Sequence, residues 1–111
     1  MPASPDPVLL LDGPTGTELA RRGVATDGPA WSARAIREAP GVLRAIHADY
    51  ARAGATVHTA ATFRARPDAL GTAWRDGVRR AVALAREAVP ADHTVLGSLA
   101  PLADCYAPWD T

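Results

Sequence analysis

An aspartate stands directly behind four apolar residues. Val8, Leu9, Leu10 and Leu11 run into Asp12, and Gly13-Pro14-Thr15-Gly16-Thr17 follows. A carboxylate in that place can hold an ammonium group through a charge-assisted hydrogen bond. Gly13 and Gly16 let backbone N–H groups approach a ligand's carboxylate, and the start of a following helix favours an anion. Together these groups could grip both ends of an amino acid. Asp12 could instead only cap its own turn, and position alone leaves both readings open. Two phosphate chemistries fall away. A Walker-type loop needs a lysine, and the chain has none. A phosphatase-like Asp-x-Asp-Gly-Thr needs paired carboxylates, whereas a single Asp precedes Gly13 and Pro14 follows it.

The remaining reactive side chains are scattered. His47, His58, His93 and the single cysteine, Cys105, lack the spacing of a metal site. His47 lies on or beside the apolar stripe of a helix and reads as a packed or surface residue. His58 falls inside a strand and reads as structural, while His93 precedes a strand and reads as exposed. No feature supplies a base for Cys105, which reads as an inert loop thiol. Trp31, Trp74 and Trp109 read as packing residues.

The elements that must position Asp12 follow from hydrophobic periodicity. The continuous run at Val8–Leu11 fits a parallel strand covered on both faces. Thr15 to Arg22 reads as a short helix, with Thr15 as N-cap, Glu18 completing a capping box and Gly23 as the stop. Ser32 is placed to cap Ala33 to Glu38. Pro40 opens a helix to about Ala53, with Val42, Leu43, Ile46, Tyr50 and Ala53 on its apolar face. Thr56–Thr59 reads as a second strand and Pro67 to Gly77 as a loop with a helical turn. Val78, Val82, Ala85 and Val89 mark the next helix, and Thr94–Leu99 reads as a third strand. Helices between apolar strands imply parallel pairing, because a parallel return needs a crossover. The class is α/β, with three parallel strands as the opening β/α units of a larger fold. Ligands in such folds bind at the carboxyl ends of the strands. Asp12, Thr62 and Pro101 should therefore share one end of the sheet.

Composition narrows the function. The 111 residues carry 12 basic and 12 acidic side chains, so no charge imbalance points to nucleic acid or a membrane surface. No stretch approaches the ~18 apolar residues of a membrane span. One cysteine forbids an internal disulfide framework and suits a reducing cytoplasm. Met1-Pro2-Ala3-Ser4-Pro5 lacks the basic and apolar regions of a secretory signal. The expected location is cytoplasmic.

Asp12-Gly13-x-Thr15-Gly16-Thr17-Glu18-Leu19 with Arg22-Gly23 resembles the N-terminus of the homocysteine S-methyltransferase family. Trp31-Ser32-Ala33-Arg34-Ala35 after Gly28-Pro29 is similar to that family's Pro-x-Trp-Ser segment. His47-x-x-Tyr50-x-x-Ala53-Gly54-Ala55, Thr62-Phe63 and Gly97-Ser98-Leu99-Ala100-Pro101-Leu102-x-Asp104-Cys105-Tyr106 match later segments in order. The resemblance implies a (β/α)₈ barrel, a catalytic zinc, and methyl transfer from a small donor to the homocysteine thiol, giving methionine. Asp12 matches the acidic residue near the homocysteine amino group and Gly13 the backbone contact to its carboxylate. Thr62 and Phe63 match residues that border the substrate. Pro14 stands where the family usually has glycine, and Ala60-Ala61 replaces a Thr-Asn pair. The family's three zinc cysteines come from a later part of the barrel, and Cys105 matches none of them. Zinc thus belongs to the complete family enzyme; this chain alone is expected to bind none and to supply no catalytic residue. A full barrel takes roughly 250 residues, so residues 1–111 read as a partial, N-terminal portion, inactive alone. The alternative is a non-catalytic remnant that self-associates or binds a partner through open sheet edges. Homocysteine and a methyl donor are the expected partners of a completed barrel.

Overall fold

The computed structural model describes residues 8–26 and 33–100. Among the described residues, five α-helices and two strands set the frame. Helix α1 is Thr15–Arg21, α2 is Arg34–Glu38 and α3 is Pro40–Arg52. Pro40 fits the first turn of α3, where its missing N–H removes no helical bond. Leu43, Ile46 and His47 follow at helical spacing and are the buried residues of α3. Strand β1 is Val57–Thr59, α4 is Pro67–Leu70, α5 is Trp74–Ala88 and β2 is Thr94–Leu96. In α5 the buried face is Ala81, Leu84 and Ala85.

α3 is the centre of the helical layer, packing against α1, α2 and α5. Leu19, Leu43, Ile46 and Leu84 are wholly or almost wholly buried there. Fully burying a leucine or isoleucine side chain contributes about 1.5–3 kcal/mol, so these four side chains dominate the cohesion of the layer. α1 ends in a Schellman turn: Gly23 takes φ +82°, its N–H reaches the Ala20 carbonyl and the Val24 N–H reaches the Leu19 carbonyl.

The sheet is smaller than the sequence predicts. β1 and β2 pair in parallel, with Val57 opposite Thr94, His58 opposite Val95 and Thr59 opposite Leu96. The run Val8–Leu11 is not a third strand. It contributes one isolated parallel bridge, Leu11 to Val57. The physical reason is cover: Val8, Leu9, Leu10 and Leu11 are 94, 68, 53 and 59% exposed, whereas a parallel strand is ordinarily covered on both faces. The order Leu11–β1–β2 is still sequential and parallel. β2 also stops at Leu96, short of the expected Leu99, which is 96% exposed.

Two helix starts differ from expectation. Thr15 opens α1 but does not cap it; Pro14 holds the N-cap position and no side chain caps the turn. The Glu18 carboxylate is drawn instead to Arg21 and Arg22. The segment read as a loop over 67–77 is α4, a 3₁₀ turn at Gly71–Ala73, and the first turn of α5. Ser32 lies outside the described residues.

Candidate active site

Asp12 reaches the end of β1 through two hydrogen bonds. Its N–H donates to the Val57 carbonyl at 2.9 Å, extending the Leu11 bridge by one rung. Its carboxylate Oδ2 accepts the Thr59 N–H, also at 2.9 Å. A charged acceptor on a strand-end amide is a strong local bond, and it fixes where the carboxylate stands. Among the described residues, no side chain or N–H donates to the second oxygen, Oδ1. The carboxylate therefore caps the end of β1 through one oxygen.

Gly13 lies under the ring of Tyr50. The Tyr50 hydroxyl donates to the Pro14 carbonyl at 2.9 Å. Thr62 closes the neighbouring loop: its Oγ1 donates to the Ser98 carbonyl at 2.9 Å and accepts the Ser98 N–H at 2.7 Å. This reciprocal pair uses the hydroxyl as both donor and acceptor and ties the segment after β1 to the extension of β2. Phe63 is half-buried, with the Arg64 guanidinium 5.3 Å from its ring centroid. Asp12, Thr62 and Ser98 thus follow the carboxyl ends of parallel segments and share one end of the sheet. Pro101, Asp104, Cys105 and Tyr106, expected on the same rim, lie outside the described residues, as do Trp31 and Trp109.

A groove of about 500 Å³ opens beside Thr62 and Ser98, walled mainly by Ala65, Trp74, Val78 and Val82. Asp12 does not line it. Its wall is apolar and lies on the α5 side of the sheet, so it suits packing more than polar recognition.

His58 lies within β1, His93 directly precedes β2 at the amino end of the sheet, and His47 is on α3. His47 is 1% exposed and neither ring nitrogen has a hydrogen-bond partner, so of its two readings the packed one holds. Burial pushes its pKa below the ordinary histidine value, and the Asp12 charge opposes that only in part. His58 is wholly buried, and its Nε2 lies 3.0 Å from His93 Nδ1. The rings are near-parallel, 9° apart, with centroids at 5.2 Å. That separation is too long for face-to-face stacking and fits an edge-to-edge N–H···N bond. Burial is again the main cause of a lowered His58 pKa. His93, expected to be exposed, is half-buried because it is the partner of His58.

Among the described residues, no three His, Cys, Asp or Glu side chains stand together to hold a metal. With one cysteine in the sequence, the residues present do not make the zinc site that the resemblance implies. Among the described residues, no helix is long and apolar enough to cross a membrane.

Sequence reasoning places Tyr50 on the apolar face of α3 and in the family-like segment His47-x-x-Tyr50, but nothing local marks its hydroxyl as the partner of Pro14. The His58–His93 pair was equally silent, because 35 residues separate the two rings.

The sequence profile of the homocysteine S-methyltransferase family matches residues 9–110. Homocysteine S-methyltransferase of Escherichia coli is 43% identical over 60 residues, which cover 54% of this chain and 19% of that protein. Selenocysteine methyltransferase of Astragalus bisulcatus is 35% identical over 85 residues, covering 71% of this chain and 25% of that protein. The crystal structure of the metallated homocysteine methyltransferase MmuM from Escherichia coli superposes with a TM-score of 0.73 at 35% identity. It covers 86% of this chain and 38% of that chain. The matched region spans between about a sixth and a quarter of the length of the curated relatives. On the family profile and this superposition together, the chain belongs to the homocysteine S-methyltransferase family.

Proposed function

We propose that this chain forms the amino-acid-binding end of a methyltransferase barrel that transfers a methyl group to the homocysteine thiol. The observation that carries the reading is the Asp12 carboxylate, anchored by the Thr59 N–H through one oxygen and offering the other at the sheet's ligand-binding end. The ammonium of homocysteine would meet Asp12, and its carboxylate would meet the backbone at Gly13. Thr62 and Phe63 border the substrate from the next loop. In this reading the three parallel segments are the opening units of a (β/α)₈ barrel.

Zinc, in the complete family enzyme, serves to make the thiol a thiolate. The residues present do not hold it, and the chain alone is proposed to retain none. Metal analysis of the chelator-washed chain tests this; one tightly held zinc per chain overturns it.

The test of the main reading joins this chain to the remaining barrel of the E. coli relative and measures steady-state methyl transfer. Asp12→Asn keeps the shape and an oxygen for the Thr59 N–H but loses the charge. Losing one partner of a desolvated charge pair costs about 2–5 kcal/mol. The homocysteine KM should rise by more than about tenfold with kcat little changed, because the ammonium contact exists before and during transfer. An unchanged KM in the folded variant overturns the reading and leaves Asp12 as a cap.

A self-associating module is the second reading, favoured by the exposed row Val8–Leu11. Sedimentation of the chain over a concentration series tests it; a monomer throughout removes it.

A further inference from the structure

The turn that carries Asp12 is held from behind by the last part of α3. A Cβ placed on Gly13 would stand 2.7 Å from Tyr50 Oη and 2.8 Å from Cε1 and Cζ. Real side chains do not approach so closely, so a side chain at position 13 would have to displace the Tyr50 ring from its place. The backbone does not itself require glycine: among the described residues the glycines at positive φ are Gly23, Gly54 and Gly71, and Gly13 is not one of them. On the other side of the same turn, the Tyr50 hydroxyl donates to the Pro14 carbonyl at 2.9 Å. Proline cannot donate an N–H, so its carbonyl is its only backbone hydrogen-bonding group.

Tyr50 is in turn fixed. Its own carbonyl accepts the Ala55 N–H at 3.0 Å, which closes the end of α3. The adjacent Asp49 bridges to Arg22 at 2.9 Å and ties α3 to α1, the helix that follows the turn. Burial first, and the nearby Glu18 and Asp12 charges second, push the Tyr50 hydroxyl above its ordinary pKa. It therefore stays protonated and remains a donor at neutral pH.

We propose that Tyr50 is a positioning residue for the Asp12 carboxylate. Its ring occupies the space that Gly13 leaves and its hydroxyl anchors Pro14, so the intervening backbone holds Asp12 where it meets the Thr59 N–H and a ligand's ammonium. The ligand half of this statement rests on the homocysteine reading; the structural half does not.

Amide hydrogen exchange on the 111-residue chain reads the structural half. In Tyr50→Phe the Thr59 N–H, bonded to Asp12, should exchange about fivefold faster, the equivalent of one net hydrogen bond. The Ala60 N–H, bonded to the Leu96 carbonyl in the same sheet, should not change. No acceleration at Thr59, or equal acceleration at both amides, overturns the proposal. Gly13→Ala should lower the melting temperature in the unaltered chain and have no effect in a Tyr50→Ala background. An equal loss in both backgrounds overturns the packing role of the ring.

Kinetics of the completed barrel separate the two claims. Tyr50→Phe should raise the homocysteine KM about fivefold with kcat unchanged. If Asp12→Asn raises KM but Tyr50→Phe alters neither exchange nor KM, the Tyr50 proposal falls and the homocysteine reading stands. If Tyr50→Phe loosens the Thr59 amide but Asp12→Asn leaves KM unchanged, the homocysteine reading falls and the hold of Tyr50 on the carboxylate stands.

Discussion

The helical layer and the leading edge of the sheet are built from the same kind of residue and end in opposite states. Leu19, Leu43, Ile46 and Leu84 are at most 1% exposed, whereas Leu9, Leu10 and Leu11 are more than half exposed. The difference lies in how each element finds its partners. An amphipathic helix needs cover on one stripe, and α3 receives it from α1, α2 and α5 within a short stretch of chain. A parallel strand needs a pairing partner along its length and, ordinarily, cover on both faces. Leu11 has β1 on one edge and nothing among the described residues on the other. Apolar sequence alone therefore does not bury a segment; the number of partners its geometry demands decides.

The comparison can be broken by truncating one leucine on each side. Leu43→Ala should cost about 2–5 kcal/mol in urea unfolding, as buried leucines do. Leu11→Ala should stay within about 0.5 kcal/mol, as exposed substitutions do. Similar losses at both sites would mean that the leading edge is covered in solution.

A smaller effect tests the end of the sheet that the two regions share. Thr62→Val keeps the shape but strands the Ser98 N–H and carbonyl that the hydroxyl now serves. The cost should be about 1–3 kcal/mol, with Thr62→Ser restoring most of it. A neutral Thr62→Val would show that the loop after β1 is not tied to β2.

Acid sharpens the contrast from the helical side. Burial lowers the folded-state pKa of His47 below its unfolded value, so below about pH 6.5 the unfolded chain binds the extra proton. Stability is full above that pH and falls as pH drops toward the folded-state pKa, by at most about 1.4 kcal/mol per pH unit for this residue. His47→Leu should flatten the slope of urea midpoints between pH 7 and 5. An unchanged slope would exclude His47 as its source.

The smallest effect concerns the tie between α1 and α3. Arg22 reaches both Glu18 and Asp49, and Asp49 also pairs with Arg52. Arg21 first, then Arg22, hold the Glu18 carboxyl down to about 2. These groups meet water, so Asp49→Asn should lower the melting temperature less than Leu43→Ala or Thr62→Val does, and the loss should shrink with added salt. A salt-independent loss would show a tie more buried than its geometry indicates.

The helices α1 and α3 were legible because their signals are local. Pro40 starts one, Gly23 and Gly54 stop both, and Leu43 and Ile46 fall at the right spacing. The start of α5 was not legible: Gly77 is a loop signal, yet it falls inside the first turn of the helix, while Gly71 does end α4 at positive φ. Asp12 stood out in the sequence as a single carboxylate behind an apolar run. Its partner Thr59 did not, because register decides which amide a carboxylate meets. The first strand failed for a related reason. Val8–Leu11 has the composition of a buried strand, and composition carries no record of whether a neighbour is present.

The exposed row at Val8–Leu11 has a consequence for handling the protein. A cross-β nucleus needs about six or seven residues of apolar, uncharged chain without proline. In the sequence, Pro7 and Asp12 bracket the row and cut it to four. Asp12 therefore acts also as a gatekeeper, a charge that stops strand-on-strand growth from the open edge. Asp12→Asn removes that charge and lengthens the uncharged stretch to Gly13. The variant that tests amino-acid binding should thus show a shorter lag to fibril or precipitate at high concentration, and its kinetics belong at the most dilute condition the assay allows.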